Sequence, residues 1–98
     1  MATLFAVLTV EFSLDGNDNL KGKRRVANSL KQKLRNRFNV AVAEVDTEDC
    51  LTRLRLKVVS LSNSEQHLRT RMDNCCRMLE AVCSERMTMS EVDVYAAE

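Results

Sequence analysis

Residues 4–14 read Leu4-Phe5-Ala6-Val7-Leu8-Thr9-Val10-Glu11-Phe12-Ser13-Leu14. Leu4, Ala6, Leu8, Val10, Phe12 and Leu14 share one face and are all apolar, while Phe5, Val7, Thr9, Glu11 and Ser13 share the other. Alternation with a period of two predicts a strand with one apolar face. The run Asp15-Gly16-Asn17-Asp18-Asn19 that follows is turn-forming, and Asn19 is placed to cap a helix.

Beyond Asn19 the period changes. Leu20, Ala27, Leu30, Leu34 and Phe38, with Val26 at the margin, fall within about a third of a helical wheel, which predicts a helix over Leu20–Phe38. Gly22 costs this helix about 1 kcal/mol relative to Ala, an effect smallest in the first turn. Asn39 suits a left-handed terminating position. Val40–Asp46 is a β-branched strand, and Thr47-Glu48-Asp49-Cys50 a polar loop. Arg53–Leu61 alternates Leu54, Leu56 and Val58 with Arg53, Arg55, Lys57 and Val59. Ser62-Asn63-Ser64-Glu65 supplies caps, and Leu68, Met72, Cys75, Cys76, Leu79, Val82 and Cys83 then recur at helical spacing to about Glu85. Glu91–Ala96 alternates once more.

The order β-α-β-β-α-β predicts an α+β fold. It is the ferredoxin-like βαββαβ sandwich, a four-stranded antiparallel sheet with two helices on one face. The helix-facing sheet residues are expected to be Leu4, Ala6, Leu8 and Val10, then Leu54, Leu56 and Val58, then Val92, Val94 and Ala96. No proline, linker, repeat or low-complexity run interrupts the 98 residues, so 1–98 reads as a single domain with a modest core.

Composition removes several function classes. The chain is 45% apolar and 30% charged with a net charge of +1, so it is neither disordered nor strongly basic. No Trp, one Tyr and three Phe exclude a large aromatic stacking platform, and a single His makes His-rich metal sites impossible. The apolar first ten residues lack a preceding Lys or Arg and a cleavage site, and Glu11 interrupts them, which argues against a signal peptide. Nothing approaches a membrane span of about 20 apolar residues, so no membrane partner is expected. Cys50, Cys75, Cys76 and Cys83 form no C-x-x-C pair, and His67 is not at zinc-site spacing. Reduced thiols in a cytoplasmic protein without metal or cofactor are the expectation.

The near-zero net charge hides an asymmetry. Between Asn19 and Ala43 lie eight bases and no acid, namely Lys21, Lys23, Arg24, Arg25, Lys31, Lys33, Arg35 and Arg37. Arg24, Asn28, Lys31 and Arg35 form one stripe beside the apolar face, with Lys21 and Arg25 further outward, and no i,i+4 acid neutralises them. Such a surface suits a phosphate backbone, most simply that of RNA; as a solvated face, its long stems would only cover the core edge. Lys23 instead lies on the apolar side, so its ammonium should find a carboxylate or a helix-end carbonyl, with Glu44 or Asp46 as candidates.

The uncovered sheet face is a second candidate. It should carry Phe5, Val7, Thr9 and Glu11, then Arg53, Arg55 and Lys57, then Glu91, Asp93 and Tyr95, an apolar stripe between a basic and an acidic row. That pattern is self-complementary in an antiparallel homodimer, unless pairs such as Glu11 with Arg53 or Arg55 neutralise it within the monomer.

Other motifs fail. An RNA-recognition domain shares the element order but needs stacking aromatics that Arg53–Val59 lacks. The Asp15–Asn19 run begins like a calcium loop, yet its sixth position is Leu20 and its twelfth Val26. Gly16 and Gly22 make no phosphate loop. Cys50 sits beside Glu48 and Asp49, which should raise its thiol pKa and work against a nucleophile. His67 reads as a surface residue. No catalytic constellation appears, and no enzyme is expected.

Asn19-Leu20-Lys21-Gly22-Lys23-Arg24-Arg25-Val26 resembles the S-L-K-x-K-R-x-V segment of the YlxP-like family, an uncharacterised bacterial family. Leu34-Arg35-Asn36-Arg37-Phe38-Asn39-Val40-Ala41-Val42-Ala43-Glu44-Val45 is similar to its L-R-x-R-F-N-V-x-V-A-E-V, and Val58-Val59-Ser60 through Ser62-Asn63 to its V-V-S-N stretch. The resemblance implies a ferredoxin-like domain with no established activity. Members are commonly encoded beside translation and ribosome-maturation genes, which points toward RNA. The chain departs from the family at Asn19 (usually Ser), at Gly22 (usually acidic) and at Cys50-Leu51-Thr52, where the family often has Trp.

The leading expectation is a non-enzymatic accessory protein that binds structured RNA or a ribosomal subunit through Lys21, Arg24, Arg25, Lys31 and Arg35, with help from Lys33 and Arg37. Lys23 and Glu44 are expected to form a structural ion pair. The alternative is a homodimeric domain that pairs through the open sheet face, either regulatory and small-molecule-sensing or purely structural.

Overall fold

A computed structural model describes residues 2–97. The elements run β1 (Leu4–Ser13), α1 (Leu20–Arg37), β2 (Ala41–Glu44), β3 (Arg53–Ser62), α2 (Glu65–Val82) and β4 (Arg86–Ala96). The sheet order is β2-β3-β1-β4 with every neighbouring pair antiparallel, the ferredoxin-like topology. The long central strand β1 pairs along its whole length with β3 on one side and β4 on the other.

One core holds the layers together. Ala6, Leu8, Val10 and Phe12 of β1 and Leu54, Leu56 and Val58 of β3 are buried. Ala27, Leu30 and Leu34 of α1 cover them, together with Leu68, Met72, Cys75, Met78 and Leu79 of α2. α2 lies against β1, β3 and β4, and α1 against β2. Val92 and Val94 contribute partly, whereas Ala96 is exposed, contrary to the alternation. In α2 the pattern missed Met78 and overrated Val82, which is exposed.

Two boundaries differ instructively from the sequence reading. β4 begins at Arg86 rather than Glu91, because a bulge opposite Glu11 and Phe12 breaks the period. Met89 pairs with Glu11 on the open face while Met87 pairs with Phe12 and packs on the core, with Thr88 left over. Two methionines two residues apart therefore face opposite ways. α1 ends one residue early, at Arg37. Phe38 caps it in extended conformation (φ −129°, ψ 152°), its N–H donating to Leu34 O at 2.9 Å. Asn39 is not left-handed. Asp46, at φ 65°, is the sole non-glycine residue with positive φ among the described residues.

Candidate nucleic-acid interface

The first helix buries Lys23, Ala27, Leu30 and Leu34, at steps of four, three and four residues. With 100° per residue, Lys31, Arg24 and Arg35 lie about 90° round the helix from that stripe. Arg35 identifies the direction: its Nη2 donates to Val42 O of β2 at 3.3 Å. The stripe thus lies on the flank of α1 beside the sheet's edge strand. The opposite flank meets α2. There Arg25, Val26, Ser29 and Leu30 line a crevice of about 210 Å³ with Val82, Cys83, Ser84 and Glu85. Arg25 consequently opens on the inter-helix crevice rather than on the stripe.

Lys21, Arg24, Arg25 and Arg35 are exposed, and Lys31 is half-buried. Among the described residues none of these five, nor Lys33 or Arg37, has an acidic group within 4.0 Å. Four bases elsewhere are paired: Arg53 and Arg55 share Glu11, Arg55 also reaches Asp46, and Arg69 and Arg77 pair with Glu65 and Asp73, whereas Lys57, Arg71 and Arg86 have no acidic partner among the described residues. Arg37 is set apart by its stacking, 5.8 Å over the Phe38 ring.

Lys23 anchors the N-terminal end of this helix. It is 1% exposed, and its Nζ lies 2.6 Å from Glu44 Oε2. The same ammonium donates to Cys50 O at 2.5 Å and to Thr47 O. Three donors meet three acceptors, the full capacity of an ammonium. Thr47 Oγ1 donates to Glu44 Oε2 at 2.8 Å and accepts from the Arg55 N–H at 2.9 Å. Among the described residues no buried side-chain N or O lacks a partner. Asp46, a residue type that tolerates the left-handed region, turns the chain between Glu44 and this carbonyl cluster.

The loop after β2 is tied again by its neighbours. Asn17 Nδ2 donates to Leu51 O at 2.6 Å and to Asn19 O at 2.9 Å, and Leu14 N donates to Thr52 O at 2.8 Å. Gly22 N donates to the capping Asn19 Oδ1 at 2.6 Å. A Cβ at position 22 would stand 2.5 Å from Asn17 Oδ1. A side chain at position 22 would therefore have to displace Asn17, which is held by two hydrogen bonds, a close approach that helix propensity does not register. Thr47 and Asn17 escaped the sequence reading because polar residues in turn-like runs carry no sign of their distant partners.

The thiols are all free. Burial pushes Cys75 up to about 11, and also raises Cys76 and Cys83. Cys50 corrects the expectation: its pKa is lowered, first by the Thr52 backbone N–H and then by the Thr52 hydroxyl, rather than raised by Glu48 and Asp49. His67 is exposed. Among the described residues no group of three or more His, Cys, Asp and Glu side chains is arranged to hold a metal ion. Among the described residues no helix is long and apolar enough to cross a membrane.

Comparisons place these observations among known proteins. The profile of the family described as "Protein of unknown function (DUF503)" matches residues 5–92. No curated protein matches. Among solved structures, the de novo designed protein Ferredog-Diesel is 13% identical with a TM-score of 0.46, over 93% of this chain and 83% of its own. The de novo designed protein LFR1 1 with ferredoxin fold, solved by solution NMR, is 14% identical with a TM-score of 0.46, over 100% of this chain and 87% of its own.

Proposed function

We propose, from the premise that this chain belongs to the DUF503 family of proteins of unknown function, that it is a non-enzymatic cytoplasmic accessory protein binding structured RNA or the RNA surface of a ribosomal subunit through α1. The observation that carries the reading is the set of α1 cations without acidic partners: Arg24, Lys31 and Arg35 lie on the helix flank turned away from α2, with Lys21 further outward and Arg25 at the inter-helix crevice. The fold neutralises Arg53, Arg55, Arg69 and Arg77 internally, while the α1 cations other than Lys23 have no such partner among the described residues. The resemblance of residues 19–45 to the YlxP-like family supports the same reading.

Recognition is of the phosphate backbone. β3 offers no aromatic side chain on which a base could stack, so the chemistry available is charge and the guanidinium fork. Lys21 and Arg35 are 14 residues apart, about 21 Å along the helix, and the stripe they bound is held straight by the buried residues beneath it. The loop reaching Lys23 carries exposed Glu48 and Asp49, so the C-terminal half, with Lys31 and Arg35, is the more positive.

Co-sedimentation with ribosomal subunits across a salt series tests the reading. With about five phosphate contacts, log K falls with a slope of about −4 against log[salt], so affinity drops roughly 250-fold between 50 and 200 mM. Arg24→Glu/Arg35→Glu abolishes the salt-sensitive part. Absence of binding at low salt, or binding that the double variant retains, refutes the proposal.

A further inference from the structure

The sheet face opposite the helices carries an unpaired charge pattern that α1 does not explain. The register arranges it in rows across the strands. Leu61, Phe5 and Tyr95 form one row; Ala41, Val59, Val7 and Asp93 the next; Ala43, Lys57, Thr9 and Glu91 the third; Arg55, Glu11 and Met89 the fourth. Glu11 is consumed by Arg53 and Arg55 within the chain. Lys57, Glu91 and Asp93 are not: none has an oppositely charged group within 4.0 Å among the described residues. The first row is apolar and open, with Leu61 62% and Tyr95 48% exposed and Phe5 stacked on Tyr95 at 5.1 Å between ring centroids.

We infer that this face binds a second copy of the same chain, sheet against sheet, about a two-fold axis running along β1. The geometry selects that axis. A two-fold parallel to β1 exchanges the two sides of the sheet, so β3 of one copy lies over β4 of the other at the same height. Lys57 then faces the other copy's acidic Glu91 position, and the exposed Leu61 faces its Tyr95 position. A two-fold across the strands places β3 on β3 and Lys57 on Lys57, a like-charge contact. The stacked strands therefore run in the same direction, not antiparallel as the rows alone suggest. Aligned packing of twisted sheets accommodates this arrangement, and an isologous contact closes at two copies.

The size of the face sets the strength. About that axis three strands of each copy overlap (β3, β1 and β4) while β2 projects beyond, so at about 4.8 Å per strand and six residues of about 3.3 Å the contact is roughly 14 by 20 Å. Counting both copies, side-chain relief brings the total buried surface to roughly 700 Å², the size of a weak, transient contact, so the dimer is reversible and forms in the upper micromolar range.

Analytical ultracentrifugation of the whole chain, from about 1 to 200 µM, reads the association. The wild type is expected to convert from monomer to dimer within that range. Lys57→Glu sets acid against acid and Glu91→Lys sets base against base, so each variant alone is expected to dissociate at least about tenfold more readily. Mixed in equal amounts they are complementary, and the mixture is expected to regain wild-type association as a heterodimer. Both substitutions are at exposed side chains without partners, and circular dichroism checks that each variant is folded. A wild type that stays monomeric at the highest concentration, single variants that dimerise normally, or a mixture without recovery each overturns the inference.

Discussion

Lys23→Met retains most of the aliphatic stem and removes only the ammonium, which isolates the contribution of the buried network. The change leaves Cys50 O without the ammonium donor, Thr47 O with only the Cys50 N–H, and Glu44 without its counter-charge. Removing one partner of a buried pair costs about 3–5 kcal/mol when the remaining charge is trapped. Glu44 keeps the Thr47 hydroxyl and is 18% exposed, so its carboxylate recovers water. The expected loss is therefore about 3 kcal/mol, the low end of that range. A chain of this length unfolds with about 0.2 kcal/mol/K of entropy at its midpoint, so Tm falls by about 15 °C. Thermal and urea denaturation followed by circular dichroism measure the loss. Hydrogen exchange should locate it at the Cys50 N–H, bonded to Thr47 O, and the Arg55 N–H, bonded to Thr47 Oγ1. Lys23→Met/Glu44→Gln removes both charges and is expected to recover about 1–2 kcal/mol of the single-variant loss. A Lys23→Met protein within about 1 kcal/mol of wild type, or a double variant whose losses simply add, refutes the view that this ammonium organises the loop.

Further expectations follow from the same contacts. Gly22→Ala should fail to deliver the roughly 1 kcal/mol that helix propensity promises, because its Cβ meets Asn17 Oδ1 while Asn17 is held by two hydrogen bonds; a measured gain of that size contradicts the close-approach argument. Arg53, acting with Arg55, holds the Glu11 carboxyl below the ordinary carboxylate range. A folded-state pKa that is depressed contributes stability above the unfolded value near about 4.3, and that contribution fades as pH falls through the folded value. Glu11→Gln should thus be less stable than wild type at neutral pH and converge with it in acid; a gap independent of pH counts against the pairing. Iodoacetamide at neutral pH should modify Cys50 first and Cys75 last, since one thiol is lowered and the other pushed up to about 11 by burial. Mass spectrometry that finds Cys75 labelled as fast as Cys50 refutes that order.

Much of the architecture was legible because burial writes itself into periodicity. The alternation over Leu4–Leu14 marks the buried face of β1, and the wheel that gathers Ala27, Leu30 and Leu34 also places Lys23 among them. The start of β4 was not legible, since a bulge moves Met87 and Met89 to opposite faces and cancels the alternation that defines a strand. The left-handed position fell on Asp46 rather than Asn39. After Phe38 only two residues precede β2, and the chain goes directly into extended conformation. For the site, the basic stripe was readable from charge and helical angle alone. Which flank Arg25 joins was not, because only the packing of α2 decides it. Two of Lys23's three acceptors are backbone carbonyls, whose directions no side-chain pattern encodes.

The segregation of both helices to one side of the sheet has a consequence for reach. Two copies joined through their bare faces turn their α1 flanks outward, away from each other. If the proposed pairing and the proposed RNA contact both hold, neither flank obstructs the other's ligand, and the pair would act as a divalent cross-bridge between two stretches of RNA. Once one flank is docked, a second stretch of the same folded RNA sits at high local concentration near the other, so modest individual contacts combine into tight capture. Retention on RNA would accordingly rise with protein concentration in the range where copies pair, a dependence that a solitary binding module does not show.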